Sequence, residues 1–198
     1  MHGYIFFHCD STTKAGGVGA YFKNTTDAKH IQELSKSFDG CESLWIEVGL
    51  NKENIIIGVV YRHTHNDMNV FQNSFMQTLH KLTVNKKIYV MGHFNIDLLK
   101  ASNNHILDDF ANLTNCFGLI NLINKPNRAT KETHTLIDHI YTNDSKNRMN
   151  SGICLGDISD HYPIFCIVSL YKSLHRVPKV TFRDMQQVRM KILLVNFK

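Results

Sequence analysis

A chain of 198 residues, 43% hydrophobic and 10% aromatic, has the make-up of one packed domain and not of a disordered segment. No apolar run approaches the ~20 residues of a membrane-spanning helix, and Ile5-Phe6-Phe7 is too short for a signal-peptide core, so no membrane attachment is expected. The formal net charge of +5 is concentrated in residues 172–198, where seven Lys or Arg face Asp184 alone, so the bulk of the chain is not a basic nucleic-acid clamp by composition.

Strand and helix patterns alternate as a layered α/β domain requires. Gly16-Gly17-Val18-Gly19 lacks the following Lys-Ser/Thr of a phosphate loop and opens a strand over 17–22, so it reads as a turn or a close backbone approach. In a strand over 43–48, Trp45 lies between Leu44 and Ile46 as a packed core aromatic; the polar flanks Glu42 and Glu47 are assigned no metal role. A strand over 55–61 stops on Tyr61 and Arg62, a phenol and a guanidinium suited to phosphate. His63-Thr64-His65 then reads as a solvated loop in preference to a zinc site.

Phe71, Phe75, Leu79 and Leu82 predict a helix over 69–82, with Asp67 or Asn69 at its start. A buried strand over 87–91 leads through Gly92 to the polar side chains of His93, Asn95 and Asp97. A second helix over 103–117, capped by Ser102, turns Ile106, Phe110, Leu113 and Phe117 toward a core. Strands over 136–141 and 163–170 complete a domain of residues 1–171. Beyond a boundary near Val177-Pro178-Lys179, residues 172–198 read as a basic linker or tail, in which Met185, Val188, Ile192 and Asn196 follow helical spacing. Cys9, Cys41, Cys116, Cys154 and Cys166 are widely spaced with no Cys-x-x-Cys pair, which argues for buried thiols and an intracellular, reducing setting.

The residues that carry chemistry lie late in the chain. Thr133 to Ile140 and Ser159 to Ile164 supply Asp138, Asp160 and His161. An imidazole that stabilises a phosphoryl oxygen or moves a proton needs a carboxylate on its other ring nitrogen, and Asp138 suits that task for His161. Asp160, pointing the other way, is free for a metal. Phosphodiester chemistry is the expectation.

The ordered series Gly-Gly-Val at 16–18, Glu-x-Leu-Trp-Ile-Glu-Val at 42–48, Val-Val-Tyr-Arg at 59–62, Gly-x-Phe-Asn at 92–95, Leu-Ile-Asp-His at 136–139 and Ser-Asp-His-Tyr-Pro at 159–163 resembles the endonuclease/exonuclease/phosphatase family. Within it the chain is most similar to the apurinic-type endonuclease domain of non-LTR, LINE- or jockey-like retrotransposons, over about residues 1 to 170. The resemblance implies a four-layered, deoxyribonuclease-like two-sheet α/β sandwich and magnesium-dependent nicking of DNA, in the nucleus if the DNA is chromosomal. It implies His161 as the catalytic histidine oriented by Asp138, Asp160 as a metal ligand, Tyr61 as a phosphate contact and Asn95 as the group that polarises the phosphate or positions water. Arg62 and Arg128 are then the substrate-binding cations.

The chain departs from the family pattern at two places. His93 stands where the family has the aspartate that engages the attacking water. The family's first strand with its asparagine, and the next segment with its metal-binding glutamate, have no counterpart before Gly16. The expectations that follow are a sandwich incomplete at its N-terminus, weak magnesium binding, impaired activity, and an exposed strand edge open to self-association. The competing expectation is a catalytically inactive remnant that binds nucleic acid or a protein partner. In retrotransposon polyproteins the position after residue 171 leads toward a reverse transcriptase.

Overall fold

A computed structural model describes residues 2–14, 16–38, 41–50, 53–82, 86–103, 105–156, 159–169 and 190–194. In chain order the elements are β1 (Tyr4–Cys9), β2 (Val18–Lys23), β3 (Asp27–His30), β4 (Lys36–Phe38), β5 (Cys41–Leu50), β6 (Glu53–Arg62), α1 (Met68–Leu82) and β7 (Lys87–His93). A 3-10 helix (Leu98–Asn103) follows, then α2 (His105–Cys116), β8 (Ile120–Asn121), β9 (Arg128–Ala129), β10 (His134–Thr135), β11 (Asp138–Thr142), β12 (Arg148–Ile153), β13 (Ile164–Ser169) and β14 (Met190–Leu194).

The large sheet runs β3-β5-β6-β7-β11-β8, with β4 also on β5; β12-β13-β14, β1-β2 and β9-β10 form smaller sheets. Only β6 and β7 pair in parallel among the described strands, and α1 is the crossover between them. Both faces of the large sheet are covered, so its central strands read as unbroken apolar runs. On one face Leu44, Ile46, Ile55, Ile57, Val59, Tyr89, Met91 and Ile140 pack with Val18 and Phe22 of β2 and Ile164, Cys166 and Val168 of β13. On the other face Trp45, Ile56, Val60, Ile88 and Val90 pack with Phe71, Phe75, Leu79 and Leu82 of α1 and Phe110 of α2. The two helices thus lie on one side of the large sheet and the sheets containing β2 and β13 on the other, a mixed α/β sandwich as expected.

Local chemistry sets the element ends. The Asp67 carboxylate accepts the Asn69 amide at 2.8 Å and caps α1. Trp45 is fully buried, and its ring fills the space above Gly58, where an added Cβ would sit 2.5 Å from it. Gly16 and Gly17 both have positive φ, +134° and +97°, as a turn requires.

Several expectations are corrected. β11 starts at Asp138, not Leu136, because the Leu136 and Ile137 carbonyls accept loop amides, those of Leu98 and Phe94. The helical spacing over 185–196 gives way at Met190–Leu194 to a strand paired with β13. Val177-Pro178-Lys179, the rest of residues 172–198, and the side chains of Ser102 and Ile106 lie outside the described residues. The strands β1 and β12, unassigned from sequence, arise by pairing with β2 and β13. The outer face of the β1-β2 pair leaves Tyr4, Phe6 and Tyr21 exposed, with Phe6 stacked on Tyr21 at 4.4 Å.

Gly92, with φ +150°, brings its α-carbon so close to β6 that a Cβ would lie 1.8 Å from the Val60 carbonyl oxygen. Gly92→Ala is expected to cost at least ~3 kcal/mol in a urea melt, through strain and backbone displacement. At the far end of the sheet the Asp144 carboxylate accepts the Tyr89 hydroxyl at 2.6 Å and the Asn147 amide at 2.5 Å. Burial alone would raise its pKa, but hydrogen bonds from Tyr89, Asn147 and the Lys146 amide hold it below the usual value. With the folded pKa depressed, this stabilisation is full above the unfolded value and is lost as pH falls through the folded one. Asp144→Asn should therefore cost ~2 kcal/mol at neutral pH, a gap that narrows as pH falls below the ordinary carboxylate range.

Candidate functional site

The strand register brings four functional side chains into one row. Glu42 lies opposite Tyr61, Tyr61 opposite His93, and His93 opposite Asp138, across β5, β6, β7 and β11. Residues directly paired on neighbouring strands share a face. Here it is the face covered by β2 and β13, and Tyr61 packs at the edge of that core. The Tyr61 ring stacks on His93 at 5.4 Å and meets His63 edge-on at 4.7 Å.

Asp138, 2% exposed, is shared by two imidazoles. One carboxylate oxygen accepts from His93 Nδ1 at 2.7 Å and the other from His161 Nδ1 at 2.8 Å. Burial pushes the Asp138 pKa up, but the hydrogen bonds and charges of His161 and His93 outweigh it and hold the carboxyl below its usual value. The Asp138 bond in turn raises the pKa of His161 against the opposing effect of burial. With Nδ1 occupied, each ring has Nε2 left for a ligand.

The arrangement depends on Asn127, which is fully buried. Its Oδ1 accepts the amides of Ile137 and Asp138 at 3.1 and 3.2 Å, and its Nδ2 donates to the Asp138 carbonyl. The Asn127 carbonyl accepts the Tyr162 amide at 2.7 Å, so one residue ties the start of β11 to the segment carrying His161. An Arg128–His161 bridge reinforces the tie. Nothing in the pattern around Lys125-Pro126 distinguishes this asparagine from a turn residue, and sequence reasoning missed it.

Tyr61, His93, Asp138 and His161 therefore come together. Asp160 stands beside them, but its carboxylate is held at 2.7 Å by the Arg128 guanidinium, which lowers its pKa. Asn95, at φ +52°, donates from its amide to the Arg62 carbonyl at 2.6 Å, so that hydrogen is committed to the backbone.

Arg62 is a correction. Successive strand residues point to opposite faces, so with Tyr61 at the site Arg62 projects beneath α1, 6% exposed and over the Phe71 ring. Its guanidinium donates to the carbonyls of Phe94, Asn95, His63 and Asn66, a structural clamp that commits four of its five N–H groups to the backbone. The solvated loop expected at His63 is also corrected. Its Nε2 lies 3.2 Å from both oxygens of the fully buried Glu42, which also accepts the Ser11 hydroxyl at 2.6 Å.

His93, Asp138 and His161 bring one potential donor atom each to within 4.8 Å of one another, and among the described residues this is the group able to hold a metal ion. Magnesium, which the family resemblance implies, does not fit it. Magnesium demands oxygen ligands, whereas two of these three donors are imidazole nitrogens and both Asp138 oxygens already accept from them. Among the described residues, Asp160 and Glu42, two further carboxylates near the group, are compensated by Arg128 and by His63 with Ser11.

No family model matches the chain, and no curated protein matches it in sequence. Solved structures do. The endonuclease domain of TRAS1, a telomere-specific non-LTR retrotransposon, superposes with a TM-score of 0.68 at 12% identity, over 87% of this chain and 83% of that one. A humanised zebrafish (D. rerio) TDP2 gives 0.59 at 14% identity, over 83% and 75%. An endonuclease/exonuclease/phosphatase family protein from Leptotrichia buccalis gives 0.57 at 14%, over 84% and 72%. The fold is that of the endonuclease/exonuclease/phosphatase proteins.

The clamp reading of Arg62 has a direct check. Arg62→Gln leaves buried carbonyls unsatisfied and should lower stability by ~2 to 4 kcal/mol in a denaturant melt, whereas Tyr61→Phe should change it by less than ~0.5 kcal/mol. An unchanged melt for Arg62→Gln would return the guanidinium to the substrate side.

Proposed function

We propose that the chain is a DNA-directed phosphodiester hydrolase of the retrotransposon-endonuclease type. The observation that carries this reading is the Asp138–His161 pair at 2.8 Å, with Tyr61 and His93 alongside in one row. Asp138 fixes the His161 ring, and the protonated ring directs Nε2–H at a non-bridging phosphate oxygen as negative charge develops there. The Tyr61 hydroxyl donates to a second oxygen. The Nε2 of His93 receives the proton of the attacking water, the task that a carboxylate performs in the family pattern, while the bond from phosphorus to the leaving sugar oxygen breaks and that oxygen takes a proton from solvent. Arg128, half-exposed, can exchange Asp160 for a neighbouring phosphate.

If the substrate is chromosomal DNA, this activity belongs in the nucleus. The exposed aromatic face of the β1-β2 pair supports self-association as part of the same reading. A second reading, DNA or partner binding without hydrolysis, is favoured by one observation. Among the described residues, the carboxylates Asp138, Asp160 and Glu42 are each balanced by a cation or by hydrogen-bond donors, which leaves none of the three to recruit magnesium.

Nicking of supercoiled plasmid separates the two. Hydrolysis predicts slow nicking by the purified chain that falls ~100-fold or more in His161→Ala. Retained DNA binding with no His161-dependent nicking would establish the binding-only reading instead.

A further inference from the structure

We infer that the His93–Asp138–His161 group is a site for a borderline divalent ion of the zinc class, which takes the place of the two Nδ1 protons now shared with Asp138 and releases them to solvent, and that occupancy disables the phosphodiester site by removing the carboxylate contact that orients His161. The inference rests on the residues of the proposed function but not on hydrolysis itself.

The donor set carries it. Two imidazole nitrogens and one carboxylate oxygen suit zinc far better than magnesium or calcium. The three donor atoms lie within 4.8 Å of one another. Tetrahedral zinc with bonds of ~2.0 to 2.2 Å holds its ligands about 3.3 Å apart, so the group must contract modestly. His161 has the freedom to do so, since its side chain is 32% exposed and its segment ends a loop. His93 and Asp138 are fixed instead, by the Tyr61 stack, by β7–β11 pairing and by the Asn127 bonds at the Asp138 backbone. Two fixed ligands and one adjustable ligand form a site that accepts an ion without rearranging the sheet. Three protein ligands leave the fourth position to water on the side where His161 is exposed.

Neighbouring charges do not oppose the ion. Arg128, the nearest cation, is neutralised by Asp160, and Glu42 with His63 forms a separate pair beyond Tyr61. The identity of residue 93 decides the matter. With His93 the site carries one carboxylate and two imidazoles, a set whose affinity for hard cations is low.

The test is calorimetric titration of the full chain with zinc chloride and, separately, magnesium chloride. One zinc per chain should bind with a Kd of ~1 µM or tighter, with no binding of magnesium at ~1 mM. His93→Gln and His161→Gln should each weaken zinc binding ~100-fold, with unchanged far-ultraviolet circular dichroism showing that they fold. Zinc affinity untouched by both variants, or magnesium bound as tightly as zinc, overturns the inference. Cobalt(II) bound to the unmodified chain gives a reading that does not depend on the variants folding. Visible bands of a tetrahedral nitrogen and oxygen site support it, and a thiolate charge-transfer band, placing the ion on Cys116 or Cys154, overturns it. In the plasmid assay, equimolar zinc should suppress nicking and a chelator restore it. Zinc binding in a chain that never nicks DNA sustains this inference and sinks the proposed function; nicking unaffected by zinc does the reverse.

Discussion

The shared alignment of β5, β6, β7 and β11 is the constraint on which the site depends. A strand has a two-residue side-chain period, so the register that puts Glu42, Tyr61, His93 and Asp138 in one row also sends Trp45, Val60 and Val90 to the opposite core. A slip of one residue anywhere would bury polar groups against Phe71 and Phe75 and turn apolar ones to the rim. Two close contacts hold the register. The Trp45 ring fits only over the bare backbone of Gly58, and the Val60 carbonyl only against Gly92. The chemistry at the end of the sheet is thus positioned by steric fits in its middle.

Charge balance is the second organising feature. A buried carboxylate is costly unless it is paired and hydrogen-bonded. Asp138 meets that condition with two imidazoles, and Glu42 with His63 and Ser11. His93 adds a second donor to Asp138 and spends that residue's remaining oxygen. The residue at position 93 therefore helps decide which ligands the whole site favours.

The Asp138–His161 partnership was legible in the sequence because carboxylate, histidine and apolar flanks together specify a strand end bearing an oriented imidazole. Tyr61 and Arg62 were legible as residue types but not as a pair with opposite fates; strict alternation along β6 was the available signal. Asn127 and the Glu42–His63 pair were not legible, since their partners lie across loops whose path no local pattern fixes. β12, Arg-Met-Asn-Ser-Gly-Ile, lacks strand propensity and is a strand because β13 pairs with it. At the C-terminus the helical spacing of Met185, Val188, Ile192 and Asn196 outweighed the run Ile192-Leu193-Leu194, which is equally a strand signal.

The parallel pairing of β6 with β7 bears on how the protein reaches its folded state. A parallel pair cannot close through a tight turn, so β7 docks only after α1 has crossed the sheet, and β11 docks on β7 after α2 has followed. His93, Asp138 and His161 lie on segments brought together by these late, long loop closures. Their entropy cost falls before the contacts that offset it, which makes for slow folding. The imidazole–carboxylate cluster thus depends on long-range pairings, and its geometry reports on the completed sandwich more faithfully than backbone content does.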